Sequence, residues 1–284
     1  MTIRSGWLIG GLIAAVPLAL VLALLALLYL KQEALLFFPE RLPPGHRFEM
    51  GADVHALEIE LADGARLSVL QLRQAAPKGL VFYLHGNAGN LQSWFSRADF
   101  YRRAGFDLVM PDYRGYGLSS GRIGSEAQLH ADVRAVWERL APAYQGLPRV
   151  IVGRSLGTAL AARLAAEVGA EQLVLISPYR HMAALMDEHY PLLPRWLLRY
   201  PLDTEAALAD YAGPLLLIHG GRDTLIPPAH SQALQRAPRP ADSPPARLWL
   251  LDEAGHNDLQ AFDAYWQGLG EALSLAAAPA PARP

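Results

Sequence analysis

Residues 150–168 read VIVGRSLGTALAARLAAEV. The β-branched run 150–152 predicts a short buried strand, and residues 155–168 have the length and apolar spacing of a helix. Between them lies the pattern Gly-x-Ser-x-Gly, with Ser155 at its centre. Small residues around a serine at a strand-to-helix turn permit the strained backbone that exposes the side chain, and the helix N-terminus behind it favours negative charge. We interpret Ser155 as a nucleophile; the alternative is that this pattern marks only a tight turn.

The rest of the chain places this turn in a sheet. Two runs, 54–61 and 65–73, flank Asp63-Gly64 and predict an antiparallel hairpin. Short apolar runs then alternate with segments of helical length such as 126–140, which predicts a parallel sheet with right-handed crossovers. The predicted strands are 80–84, 106–110, 150–152, 173–176, 215–218 and 248–251. The expected fold class is therefore α/β.

A serine hydroxyl needs a base and a group that orients the base. Asp223 follows the predicted strand 215–218, and His256 follows the predicted strand 248–251. The chain order is Ser, Asp, His, and the carboxyl ends of parallel strands are where such sheets bind ligands. We predict Asp223 as the acid and His256 as the base. Asp252 and Glu253, on the histidine's own loop, are the rival acids.

Backbone N–H groups must also await the oxyanion of an acyl-transfer reaction. Leu156, directly after the nucleophile, offers one such group. The second is expected from the loop after strand 80–84, where glycines allow close approach of the backbone. We predict the Asn87 N–H, with Ala88 as the near alternative. His85 of the same loop could be a second base, but bracing the loop is the preferred interpretation.

The N-terminal region carries most of the excess apolar content. Residues 7–30 contain no charge and ten leucines, which predicts a transmembrane anchor after a short tail, 1–6. A cleaved signal peptide is the alternative. A proline-containing linker, 31–53, would lift the α/β domain, 54–275, off the membrane, and an Ala/Pro tail, 276–284, is expected to be disordered.

The segment 177–208 is rich in Tyr, Leu, Met, Trp and Pro and is interpreted as a short cap above the strand ends. Its apolar residues, among them Leu193 and Trp196, are predicted to line an acyl pocket, as most ligand sites are lined. Packing on the edge of the sheet is the alternative.

Composition excludes several classes of function. The net charge of −2 without a basic block argues against nucleic-acid binding. The absence of cysteine excludes disulfides and thiolate metal sites, and the histidines lack zinc-site spacing, so we expect neither metal nor cofactor. The oligomeric state is left open. The numbers of Lys and Arg on the two sides of the anchor are nearly balanced, so they orient it only weakly. We slightly prefer a bacterial inner membrane with the domain on the periplasmic side.

Five motifs together resemble the α/β-hydrolase family, and more narrowly its membrane-anchored Bem-forty-six-like branch of serine aminopeptidase-like or alpha/beta-hydrolase-domain proteins. They are HGNAGN at 85–90, DYRGYG at 112–117, GRSLG at 153–157, GRD at 221–223 and GHND at 255–258. The resemblance covers about residues 32–275 and implies an eight-stranded sheet, the same triad, and ester or thioester hydrolysis. Lipid hydrolases and depalmitoylating enzymes in this branch suggest acyl substrates.

The leading hypothesis is therefore a membrane-anchored acyl-ester or thioester hydrolase acting through Ser155. An amidase or peptidase could use the same residues. A membrane-tethered binding protein that has lost activity is the hypothesis from a different class.

Overall fold

We describe the protein from a computed structural model, which covers the backbone of residues 3–277 and the side chains of residues 16–276. The α-helices in this range are α1 (Ile3–Leu30), α2 (Gln32–Leu36), α3 (Leu91–Trp94), α4 (Ala98–Ala104), α5 (Glu126–Leu140), α6 (Gly157–Val168), α7 (Met182–His189), α8 (Thr204–Leu208), α9 (Ala229–Arg236) and α10 (Asp263–Ala277). The strands are β1 (Val54–Glu60), β2 (Arg66–Leu72), β3 (Gly79–Leu84), β4 (Phe106–Pro111), β5 (Arg149–Arg154), β6 (Gln172–Ile176), β7 (Leu215–Gly220) and β8 (Arg247–Leu251).

The eight strands form one sheet in the order β1-β2-β4-β3-β5-β6-β7-β8. β1 pairs with β2, and β2 with β4, in antiparallel orientation, whereas every other pair is parallel. The predicted eight-stranded, mostly parallel sheet with an antiparallel hairpin at one edge is confirmed. Parallel strands bring their carboxyl ends to one edge, so the loops after β3, β5, β7 and β8 meet there.

The central strands are buried on both faces because helices cover both. β3, β6 and β7 are buried at every position, which explains their continuous apolar sequence. Alternate side chains join two separate cores, one beneath α5 and α6 and the other beneath α4 and α10. The site therefore rests on a rigid, layered scaffold.

α1 covers the predicted anchor and contains Pro17. Within residues 16–276, no helix is both apolar enough and long enough to cross a membrane. Residues 7–15 of the predicted anchor lie outside the part of the chain whose side chains are described, so the anchor stays a prediction. Of the predicted N-terminal tail and C-terminal tail, residues 1–2 and 278–284 lie outside the described backbone.

The predicted linker, 31–53, packs on the domain along its first part. It opens with α2, and the next residue, Phe37, is 5% exposed, its ring 5.2 Å from that of Tyr200 in an edge-on arrangement. The Gln32 side chain donates to the Leu197 carbonyl oxygen at 2.8 Å and accepts from the Arg199 N–H at 2.7 Å. The chain between α1 and the sheet is therefore fixed to the cap.

The predicted cap segment, 177–208, follows β6 and contains α7, a 3-10 turn at Arg195–Leu197, and α8. α8 packs against α6, the helix that begins behind Ser155. Two residues of the segment, Tyr200 and Leu202, are fully buried. The cap thus packs on α6 through α8 and is hydrogen-bonded to α2 through Leu197, Arg199 and Tyr200.

Candidate active site

Ser155 occupies a strained turn between β5 and α6. Its φ is +49°, a left-handed conformation that few non-glycine residues adopt. A side chain at Gly157 would overlap the carbonyl oxygens of Leu84 and His85, and one at Gly153 would lie 2.5 Å from the Gly157 carbonyl oxygen. The flanking glycines are therefore needed because backbone passes close on both sides of the serine.

The strained turn is held by hydrogen bonds on both of its peptide groups. The Ser155 N–H donates to the Ile176 carbonyl oxygen at 2.9 Å. The Ser155 carbonyl oxygen accepts from the Thr158 hydroxyl at 2.6 Å and from the Thr158 N–H at 2.9 Å. These bonds offset the local backbone strain and keep the hydroxyl at the edge of the sheet.

The structure brings the three predicted residues into one hydrogen-bonded chain. His256 Nε2 lies 3.1 Å from Ser155 Oγ, and His256 Nδ1 lies 2.7 Å from Asp223 Oδ2. Because a carboxylate only accepts, Nδ1 carries the proton and Nε2 is free to accept from the serine hydroxyl. The imidazole therefore has the tautomer that a general base for Ser155 requires.

The Asp223 carboxylate is buried and saturated with donors. Its Oδ1 accepts from the N–H groups of Leu225, at 3.0 Å, and Ile226, at 2.8 Å. Burial opposes ionisation, but the nearby His219 ring and the hydrogen bonds from His256 and the Ile226 N–H outweigh it and hold the pKa of Asp223 well below its ordinary range. Asp223 is therefore a carboxylate at neutral pH.

The rival acids lie elsewhere. Asp252 and Glu253 are exposed, and the Glu253 carboxylate pairs with the Arg222 guanidinium. Within the described part of the chain, neither side chain forms a hydrogen bond with His256. The geometry thus favours Asp223, on the loop after β7, as the partner of the histidine.

Arg154, the residue before the nucleophile, holds the backbone of the histidine loop. It is 5% exposed, its guanidinium lies 5.1 Å from the centre of the Trp94 ring, and its Nη2 donates to the His256 carbonyl oxygen at 3.2 Å. On the same loop the Gly255 N–H donates to Asp258 Oδ1 at 2.7 Å. The sequence offered one clue to this role, a charged residue at the end of a buried strand.

The loop after β3 carries the predicted oxyanion donor. Among the described residues, the N–H groups of Asn87, of its near alternative Ala88 and of Leu156 donate no backbone hydrogen bond, so the oxyanion role of Asn87 and Leu156 stays a prediction. The Asn87 side chain instead contacts the N-terminal segment: its Oδ1 accepts from the Phe38 N–H at 3.1 Å and from the Tyr116 hydroxyl at 2.9 Å. Sequence analysis missed these contacts.

His85 is fully buried under that loop. Its Nδ1 lies 2.7 Å from the Gly86 carbonyl oxygen, and the Tyr113 hydroxyl donates to the His85 carbonyl oxygen at 2.8 Å. Its Nε2 lies 3.3 Å from Asp112 Oδ1, close enough for electrostatic attraction although the angles do not make a hydrogen bond. These contacts favour the bracing role over that of a second base.

The two predicted pocket residues differ in their surroundings. Leu193 is partly buried, whereas Trp196 is 67% exposed on the 3-10 turn that also holds α2. The adjacent Leu197 is the buried member of that turn. The pocket role of Leu193 and Trp196 stays a prediction.

Comparison with known proteins places this geometry in a family. The family model described as serine aminopeptidase S33 matches residues 75–204. An uncharacterised protein of Mycobacterium tuberculosis is 31% identical over 259 residues, which is 88% of this chain and 90% of that protein. Alpha/beta hydrolase domain-containing protein 17C of Xenopus tropicalis is 30% identical over 238 residues, 80% of this chain and 68% of that protein.

Solved structures show the same fold. The esterase Pf2001 of Pyrococcus furiosus superposes with a TM-score of 0.66 at 24% identity, over 84% of this chain and 98% of that protein. Est1E of Butyrivibrio proteoclasticus with bound ferulic acid superposes with a TM-score of 0.59 at 18% identity, over 78% and 97%. From these similarities and its sheet topology, the chain belongs to the α/β-hydrolase family.

Proposed function

We propose that the protein is a membrane-anchored serine hydrolase that cleaves acyl esters or thioesters through an acyl-enzyme intermediate. The observation that carries the proposal is the chain from Ser155 Oγ through His256 to Asp223, with separations of 3.1 Å and 2.7 Å. The strained backbone of Ser155 adds support, because strained residues cluster at active sites. The ionised carboxylate of Asp223 adds support as well, because the base that activates a serine needs a third group to orient it.

The reaction would proceed in two halves. His256 Nε2 accepts the proton as Ser155 Oγ attacks the acyl carbon, and the N–H groups of Leu156 and Asn87 stabilise the resulting oxyanion. The imidazolium, stabilised by Asp223, then protonates the leaving oxygen or sulfur. Water attacks the acyl-enzyme by the same proton route and releases the acid.

The alternative within the same chemistry is an amidase or peptidase that acts through Ser155, His256 and Asp223. The description of the matching family model as serine aminopeptidase favours the alternative. Purified protein should react with a fluorophosphonate probe at Ser155 and hydrolyse p-nitrophenyl esters faster than aminoacyl anilides. Faster anilide cleavage would favour a peptidase, and no labelling would favour an inactive binding protein.

The anchoring part of the proposal rests on α1. Eight of its described side chains are apolar and more than half exposed: Val16, Leu18, Leu20, Val21, Leu22, Leu24, Leu27 and Leu30. Such a surface on all sides of a helix favours lipid over water. We propose a bacterial inner membrane as its location and, because Lys and Arg are nearly balanced on the two sides of the anchor, take the periplasmic side for the domain as the orientation to be tested. Resistance to carbonate extraction tests the anchor, and cytosolic activity of a reporter fused to the C-terminus would contradict the orientation.

A further inference from the structure

The side chain of Asn87 connects the predicted oxyanion loop to the segment that follows α2. Its Nδ2 donates to the Leu36 carbonyl oxygen, and its Oδ1 accepts from the Phe38 N–H at 3.1 Å. The oxygen and the nitrogen of the amide thus both bind backbone groups far away in the sequence, since Leu36 precedes Asn87 by 51 positions and Phe38 precedes it by 49. The Tyr116 hydroxyl donates to the same Oδ1 at 2.9 Å. The amide is therefore held in one orientation.

The following residues continue along the same loop. We call residues 36–42 the strap. Pro39 forms a parallel bridge with Gly89, and the Glu40 carbonyl oxygen accepts from Asn90 Nδ2 and from the Gly117 N–H, both at 3.0 Å. The Leu42 N–H donates to the Gly117 carbonyl oxygen at 3.0 Å. The strap therefore lies across two loops at the carboxyl edge of the sheet, and both loops obtain backbone partners from it.

The helix that leads into the strap, α2, is fixed to the cap. The Tyr200 hydroxyl donates to Glu33 Oε1 at 2.9 Å, and the Arg199 guanidinium lies 2.7 Å from the same oxygen. Phe37 is buried against Tyr200. Because α2 directly follows α1, the strap joins the N-terminal helix, the cap and the loop after β3.

An oxyanion donor works only where its N–H points at the developing charge, at about 2.7–3.1 Å. The loop that carries Asn87 has no regular structure of its own, and Gly89 within it has a φ of +80°. A displacement of about 1 Å in an active site costs on the order of 100-fold in rate. The hydrogen bonds that hold the Asn87 side chain therefore also restrict the position and direction of its backbone N–H.

We propose that the strap is a positioning element of the active site, which sets the Asn87 N–H for the oxyanion through the side-chain amide of the same residue. The inference rests on the proposed hydrolase function. It makes residues 36–42 a working part of the site, although the sequence identifies them only as linker.

The test uses the full-length protein in detergent, with kcat expressed per site titrated by a fluorophosphonate. Asn87→Leu is nearly isosteric and uncharged, keeps the backbone N–H and removes the contacts with the strap. Phe38→Pro removes the N–H that donates to Asn87 without altering the loop, and Phe38→Ala keeps that N–H while removing the ring. Phe37 has φ −117° and ψ 129°, which a following proline accepts.

His46→Ala is the control, because the 2.9 Å contact of His46 with Gln92 joins the linker to the exposed side of α3.

We expect Asn87→Leu to lower kcat about 10- to 100-fold with KM nearly unchanged, less than the roughly 100- to 1,000-fold cost of deleting an oxyanion donor. The kcat of Phe38→Pro should be about tenfold lower than that of Phe38→Ala, and the kcat of His46→Ala should stay within about twofold of the wild-type value. A purely structural role would lower Tm and the titrated fraction but not kcat per titrated site. If Asn87→Leu does not fold, the Phe38 pair decides alone.

The outcomes separate the two proposals. An active wild type with unchanged kcat in Asn87→Leu and in Phe38→Pro would overturn the role of the strap and leave the hydrolase standing. A wild type that neither labels nor hydrolyses would overturn the hydrolase and the strap's role with it.

Discussion

His219 Nε2 lies 3.3 Å from Oδ2 of Asp223, the carboxylate oxygen that also receives the hydrogen bond from His256. The His219 ring is fully buried, with Nδ1 2.6 Å from Ser231 Oγ and Nε2 2.8 Å from the Ile226 carbonyl oxygen. These partners assign the proton to Nε2, because two oxygen acceptors face it and the serine hydroxyl can donate to Nδ1. Asp223 is thus oriented by one histidine while it orients another.

His219→Leu should lower kcat by about tenfold, if losing its 3.3 Å electrostatic contact with the Asp223 carboxylate costs about 1.4 kcal/mol in the transition state, a factor of ten in rate. The change also leaves Ser231 Oγ and the Ile226 carbonyl oxygen unpaired, so Tm should fall. Ser231→Ala is the matched control, which should lower Tm with little change in kcat. If the two variants lose kcat equally, the His219 contact with Asp223 does not contribute to catalysis.

Ser155→Ala should abolish fluorophosphonate labelling and ester turnover while preserving the fold. The hydroxyl contacts His256 and makes no other hydrogen bond among the described residues. Circular dichroism and Tm check the fold, and mass spectrometry locates the probe on the wild-type chain. Unchanged turnover in this variant would contradict the assignment of the nucleophile.

Asp223→Asn should reduce turnover by roughly 10⁴-fold, because an amide stabilises the wrong tautomer of the imidazole. Asp252→Asn is the control for the rival acid on the histidine loop and should retain turnover within about twofold, since surface substitutions away from a site have small effects. The comparison uses kcat per titrated site at one neutral pH. A larger loss in Asp252→Asn would show that Asp223 is not the catalytic acid.

The lowered pKa of Asp223 also predicts a pH dependence of stability. The folded state holds this carboxyl below its ordinary value of 3.8, so its ionised form stabilises the protein above that pH. The contribution decreases as pH falls from there through the folded pKa, because the unfolded chain takes up the proton first. Thermal unfolding of wild type and Asp223→Asn between about pH 2 and pH 5 should show a steeper loss of Tm on acidification in the wild type. Parallel curves would contradict this linkage.

Leu193→Ala and Trp196→Ala should lower kcat/KM for long acyl esters more than for acetyl esters, if both side chains contact the acyl chain. Each buried CH₂ is worth about 0.8 kcal/mol only where the chain reaches the side chain. Leu192→Ala is the matched control, because Leu192 is 95% exposed beside Leu193. Equal losses for both ester lengths, or only a lower Tm, would favour packing over a pocket.

Much of the fold follows from local pattern. The hairpin at Asp63-Gly64, the helix at 126–140 and the apolar runs of the parallel strands are predicted by periodicity and turn chemistry, and the structure has them with nearly the same bounds. Short strands whose ends carry Ser155, Asp223 and His256 suffice to place these residues at one edge, because parallel pairing brings strand ends together.

The contacts of the linker and of the buried polar residues could not be predicted in this way. Asn87 and Phe38 are 49 positions apart, and Arg154 and the His256 carbonyl oxygen are 102 apart. A side-chain amide or guanidinium has no period, so the sequence does not show which backbone group it will meet.

The sequence by itself determined the α/β architecture, the strained serine turn and the order of the three candidate catalytic residues, because each depends on local propensity and on strand direction. Only the tertiary structure decided that His219 shares the Asp223 carboxylate, that Arg154 holds the His256 loop and that residues 36–42 lie on Asn87. These contacts depend on distances between segments remote in sequence, which are set by the way the helices and loops pack on the sheet.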